Sequence, residues 1–314
     1  MRGRIPRFKP MINGPTKNPR DMSPLHLQTI WPAELDLGEG PMWHAASGRF
    51  YFVDIHGCAL HAWSPANDLR QSWKMPERIG WLVARTDGDG FMAGLQSGFA
   101  RIWLEPELRI EMLGSPHAGQ EDVRLNDAKA DCYGRIWAGS MNNRDSSRAD
   151  GQLTRLDPDG SLTVMEQGIH IANGPCISED GRRMLHTDSA LGRVYSYRVS
   201  PKGELMDKQQ WKRFGGPMGT PDGMTMDADG NVWIAFWGGA CIRQFTPDGE
   251  LLQRIDLPAL QITCMAFGGE DLKSLVVTSA RNGMTAAQLA QYPGSGSVFL
   301  LRPGVKGLLP KTFA

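Results

Sequence analysis

One pattern recurs six times along this chain and leaves few folds open to it: an alternating strand that opens on a polar or glycine-bearing pair, a tight turn, and further short strands. The openings fall near Gly40-Pro41, Gly80-Trp81, Asn126-Asp127, Asn173-Gly174, Pro221-Asp222 and Ile262-Thr263, roughly forty to fifty residues apart, the period of propeller blades. The fifth copy states the unit most plainly. Asp222–Asp227 alternates, Ala228-Asp229-Gly230-Asn231 turns, Val232-Trp233-Ile234-Ala235 is a second strand and Ala240–Phe245 a third. A β-turn-β unit of this kind cannot bury both of its faces alone, whereas a closed ring of such sheets does. The expected fold is therefore all-β, a single six-bladed β-propeller over residues 31–304. Residues 1–30 are expected to be a flexible basic, Pro-rich tail and residues 305–314 a C-terminal tail ending on the surface.

Charge removes several classes of partner. With 34 basic and 34 acidic residues among 314, no global field draws the chain to nucleic acid or to an anionic membrane, so recognition has to be local. The basic N-terminal stretch lacks the interleaved aromatics of a nucleic-acid arm. Cys58, Cys132, Cys176, Cys241 and Cys264 are odd in number, sit inside strand patterns and form no CxxC pair. They read as reduced thiols and hence a cytoplasmic location. No apolar run reaches membrane-spanning length and the N-terminus has no apolar signal core. The expected state is a monomer or small homo-oligomer.

In a propeller the innermost strand of each blade starts at one mouth of the central channel, so the residues at the openings converge on the axis. Glu39, Asn173 and Asp222 each match an ordinary turn when taken singly. Together they put one oxygen-bearing side chain at the same phase of three repeats. Two carboxylates and an amide carbonyl suit one hard divalent cation, with Ca²⁺ first and Mg²⁺, Mn²⁺, Zn²⁺ or Fe²⁺ as alternatives, and they leave coordination positions for water or substrate. HExxH, GxSxG and P-loop motifs are all missing from the sequence. In Arg124-Leu125-Asn126-Asp127, strand alternation puts Arg124 and Asn126 on one side, where a forked donor beside an amide suits a polyhydroxylated or carboxylate-like ligand. Asp127 is expected to brace the loop. His170, Trp81, Met141 and Trp237 are further candidates for the mouth.

Five runs in order carry a resemblance to a known family: Gly38-Glu39-Gly40-Pro41, Arg124-Leu125-Asn126-Asp127, Asn173-Gly174, Pro221-Asp222-Gly223-Met224 and Ala266-Phe267-Gly268-Gly269. Over roughly Leu35 to Gly304 the chain resembles the regucalcin, gluconolactonase and luciferin-regenerating-enzyme family of six-bladed propellers. The resemblance implies a metal held by Glu39, Asn173 and Asp222, and substrate bound by Arg124 and Asn126. Ala128, Ser140 and His186 depart from common family residues without removing a proposed ligand. The stretch Asn142-Asn143-Arg144 is expected to border the pocket, with Asn142 contacting substrate.

The activity this implies is metal-dependent hydrolysis of a sugar lactone, a pentono- or hexonolactone, to the aldonic acid, with Asp222 as the catalytic base. Two alternatives are a non-catalytic cation-binding propeller or scaffold and a paraoxonase-like esterase, whose pocket rim would be apolar where Arg124, Asn126 and Asn142 predict a polar one.

Overall fold

The computed structural model describes residues 26–314; the basic stretch Met1–Arg20 lies outside the described residues. Six four-stranded antiparallel sheets radiate from one axis. Blade one runs outward through Gly38–His44, Arg49–Asp54, Ala59–Ser64 and Leu69–Lys74. Blades two to five repeat that meander from innermost strands Ile79–Ala84, Val123–Ala130, Ala172–Ile177 and Thr220–Met226. Every opening picked out by the repeat lies on an innermost strand. The inner strands are buried along nearly their whole length, while the outer strand Leu69–Lys74 is mostly exposed. That gradient explains why apolar runs mark the inner strands and why outer strands leave a weak trace.

The sixth blade closes the ring with both ends of the chain. Its inner three strands are Gln261–Gly268, Ser274–Ala280 and Val298–Arg302; its outer strand is His26–Trp31, antiparallel to Val298–Arg302. Closure pairs a sheet edge that would otherwise stay open. The propeller thus begins inside the segment that composition assigns to the tail. One short strand whose partner lies at the far end of the chain has no local signal.

The C-terminal segment also departs from expectation. Instead of trailing away, residues 305–314 cross the face opposite the openings. Ala228 N–H donates to Lys306 O (2.8 Å), Gly307 N–H to Leu272 O (2.8 Å), Phe313 N–H to Ala84 O (2.9 Å) and Ala314 N–H to Gly134 O (3.2 Å). Blades two, three, five and six are tied together by these bonds, and Phe313 is buried among Trp81, Val83 and Ala130. Gly, Pro and Lys in the sequence suggest a loose end because the segment's backbone bonds go to four distant turns.

Two blades share an internal brace. Asp131 Oδ2 accepts from Trp137 Nε1 (2.8 Å) and Arg135 Nε (2.7 Å). In blade five Asp227 Oδ2 accepts from Trp233 Nε1 (2.9 Å) and Gln244 Nε2 (2.7 Å). The buried indole N–H groups of Trp137 and Trp233 therefore have their acceptors, and the turn that follows each of these inner strands is locked to the blade core.

Candidate active site

All six innermost strands are interrupted at the same place. Pairing with the second strand slips between Glu39 and Met42, Ile79 and Trp81, Leu125 and Ala128, Asn173 and Cys176, Pro221 and Met224, and Ile262 and Met265. A bulge leaves an extra residue unpaired and re-aims the side chains beside it. Glu39 and Asn173 are the last paired residues before their bulges, whereas Asn126 and Asp222 are the first residues within theirs. The phase across repeats is thus shared only to within one residue, and the bulges absorb the difference. Close approach of the strands needs glycine here: a Cβ on Gly80 would stand 2.6 Å from Asn126 O, and one on Gly223 2.4 Å from Cys264 Sγ.

Glu39, Arg124, Asn126, Asn173 and Asp222, from blades one, three, four and five, line one cavity of about 460 Å³ at the mouth of the channel. All five are at least nine-tenths buried. An unbroken chain of hydrogen bonds fixes the polar wall. Asn143 Oδ1 accepts from Arg124 Nε (2.8 Å), Arg124 Nη1 donates to Asn126 Oδ1 (2.5 Å), and Asn126 Nδ2 donates to Asn173 Oδ1 (3.0 Å). Asn173 Nδ2 in turn donates to Ser189 Oγ (2.8 Å), which leaves the carbonyl side of that amide toward the cavity. Asp127 sits beneath this wall as a brace, accepting from Ala128 N–H (2.7 Å) and Gly174 N–H (3.0 Å) and pairing with Lys129 (3.5 Å).

Burial is the main force on the acids. It pushes the Glu39 carboxyl up to about 8, with Asp127 adding to the rise. It also holds Asp222 well above the usual carboxylate range, with Glu39 and then Asp127 reinforcing it. Burial lowers the Arg124 guanidinium to about 10, so it stays charged at neutral pH. Two carboxyls that resist ionisation chiefly because they are buried, with an amide oxygen in the same cavity, are oxygen donors of the kind that could hold a hard cation. Among the described residues no three His, Cys, Asp or Glu side chains group as a metal centre. Beside the two carboxyls, the Asn173 amide lines the same cavity.

Several sequence-predicted residues lie elsewhere. Asn142 is turned away from the cavity: Nδ2 donates to Asp150 Oδ2 (2.8 Å), and Oδ1 accepts from the Arg144 and Asp145 N–H groups (both 2.9 Å). Strand alternation explains the correction, since Met141 faces the cavity and its successor the opposite side. Asn143 is the asparagine that lines the wall. His170 bonds Asp188 at 2.9 Å outside the lining, Trp81 is buried in the core, and Thr263 donates to Gly38 O (2.5 Å) to hold the strand that carries Glu39. Met141 and Trp237 do line the cavity. Sequence reasoning missed His56, Ser189 and Asn282, which line it from loops beyond the strand openings and so share no repeat phase.

The model of the SMP-30/Gluconolactonase/LRE-like region matches residues 37–281. The chain is 35% identical over 280 residues to the 6-deoxy-6-sulfogluconolactonase of Pseudomonas putida, covering 88% of this chain and 95% of that protein. It is 34% identical over 247 residues to the pentonolactonase XacC of Haloferax volcanii, covering 78% and 81%. Among solved structures, a calcium-binding regucalcin from Agrobacterium tumefaciens superposes with a TM-score of 0.86 at 25% identity, covering 91% of this chain and 96% of that one. The chain belongs to the SMP-30/gluconolactonase/LRE-like family, in which sugar lactonases and regucalcins share one propeller.

Proposed function

We propose that the chain is a carboxylic-ester hydrolase that opens a sugar lactone to its aldonic acid in the Glu39–Asn173–Asp222 cavity. The observation that carries this reading is the meeting of two carboxyls, an amide oxygen and a guanidinium, from four blades, in one polar cavity of about 460 Å³, within the size range of small-ligand sites. The lactonase names of relatives at 34–35% identity support the reaction class, and the calcium-binding structural neighbour supports a cation.

Glu39, Asn173 and Asp222 are the residues that would hold a divalent cation, Ca²⁺ foremost. Such an ion supplies a Lewis acid that stabilises negative charge on the ester carbonyl oxygen. Asp222, which faces the same cavity from blade five and is ionised once a cation is bound, takes a proton from the attacking water. The new C–O bond forms at the carbonyl carbon, the ring C–O bond breaks, and the departing alkoxide takes up a proton. Arg124 binds the sugar: its Nε and Nη1 are anchored by Asn143 and Asn126, so the remaining guanidinium N–H groups meet the ring oxygens at a fixed angle. Asn126 is a positioning residue, since its Nδ2 is committed to Ala172 O (2.8 Å) and Asn173 Oδ1. The five cysteines are free, which favours a reducing, cytoplasmic compartment.

The test is a panel of pentono- and hexonolactones assayed by acid release, with and without chelator and added divalent cations. Release above the spontaneous rate, lost on chelation and lost in Asp222→Asn, is expected. Chelator-resistant turnover or full activity in Asp222→Asn contradicts the reading.

A further inference from the structure

Arg78 precedes the blade-two inner strand and plays no part in the chemistry above, yet it holds the same position as Arg124. Each is the residue before the last paired residue ahead of its bulge: Ile79 pairs Leu95 and Leu125 pairs Ser140. The other four blades put Gly38, Ala172, Thr220 and Gln261 at that position. Positive charge at this level of the rim is therefore confined to two neighbouring blades, opposite in sign to Glu39 and Asp222.

Arg78 also lacks a partner. Its Nε is buried and makes no hydrogen bond, and among the described residues no carboxylate lies within ion-pair distance of it. Its surroundings form a side cavity of about 350 Å³ that shares Asn143 and Arg144 with the main one. The second cation of that cavity is already matched, with Arg144 Nε 2.7 Å from Asp122 Oδ1. Gln96 lines the same side cavity, and its Nε2 donates to Glu121 O (3.0 Å) and Val123 O (3.3 Å). That fixes the amide and leaves Oε1 as a buried acceptor with no donor. Arg78 is near enough to Arg124 and His56 to disfavour their protonated forms. A buried donor and a buried acceptor left unmet beside a ligand cavity are costly unless the ligand meets them.

Resting on the lactonase reading, we infer that Arg78 is a specificity residue that receives an anionic oxygen at the end of the substrate remote from the ester, with Gln96 Oε1 accepting from a hydroxyl beside it. The substrate class is a lactone of a sugar whose tail carries a carboxylate, sulfonate or phosphate; a guanidinium N–H suits any of these oxyanions. Arg124 stays with the ring and Arg78 reads the tail.

The test uses the calcium-loaded full chain and its Arg78→Gln and Arg78→Lys variants. Calorimetric titration compares three product-like acids that differ in the tail: gluconate, glucarate and 6-phosphogluconate. Wild type is expected to bind at least one of the two tail-anionic acids about tenfold tighter than gluconate, one buried charged contact's worth. Arg78→Gln is expected to erase that preference and Arg78→Lys to restore part of it. The arm that responds tells carboxylate from phosphate. Equal affinity for all three acids in wild type, or a preference unchanged in Arg78→Gln, overturns the inference. Turnover separates the two claims: lactone hydrolysis without any tail preference keeps the hydrolase and removes the subsite. An Arg78-dependent binding preference without hydrolysis keeps the subsite and removes the hydrolase.

Discussion

Glu39→Gln is expected to stabilise the cation-free protein and at the same time to destroy its response to calcium. In the cation-free fold, burial and then Asp127 raise the Glu39 carboxyl from 4.5 to about 8. At about 1.36 kcal/mol per pH unit this preference for the protonated form amounts to roughly 5 kcal/mol, of which about 3 kcal/mol applies at pH 7. The sign follows from proton counting. Between 4.5 and about 8 the folded state keeps a proton that the unfolded chain releases, so wild-type stability falls as pH rises through that window. Gln does not titrate and still accepts from the Gly40 N–H that bonds Glu39 Oε2 at 2.9 Å. Its pH slope should be flatter and its midpoint at pH 7 higher by about 5 °C. Calcium at a hundredfold its Kd adds about 2.7 kcal/mol to wild type and nothing to the variant, which closes most of the gap. Thermal and denaturant unfolding of chelated protein between about pH 5 and about pH 8, repeated with calcium, read all three effects. A Gln variant that is less stable without cation, or equally stabilised by calcium, refutes the reasoning.

Other substitutions separate positioning from packing. Asn143→Ala frees Arg124 Nε and should lower kcat/KM about tenfold, roughly 1.4 kcal/mol, chiefly through KM, whereas Asn142→Ala should act on the thermal stability of the 142–150 loop. Asp227→Ala leaves the Trp233 and Gln244 donors unmet; it should cost about 3 kcal/mol in denaturant unfolding with kcat/KM unchanged. Phe313→Ala opens a void in the blade two–three core and should cost about 3 kcal/mol, a loss that a loosely attached tail would not produce.

The residues that were legible in the sequence share a cause. Glu39, Arg124, Asn126, Asn173 and Asp222 stand at the start of strands whose period is visible, so their convergence follows from ring geometry once the repeats are aligned. Asn142 went wrong by a single step, because alternation continues past the strand end and turns the neighbouring asparagine inward instead. His56, Ser189 and Asn282 come from loops whose path depends on contacts with other blades, and no spacing rule reaches them. The closing strand His26–Trp31 and the C-terminal segment find partners far along the chain. Local pattern is silent about such pairings.

The most direct test of the central claim is a crystal structure of the calcium-loaded protein. The account predicts one ion at the axis with a Glu39 carboxylate oxygen, Asn173 Oδ1 and an Asp222 carboxylate oxygen each about 2.3–2.6 Å away, and water on the side facing Arg124. Calcium bound elsewhere, with those three side chains keeping their metal-free arrangement, contradicts it.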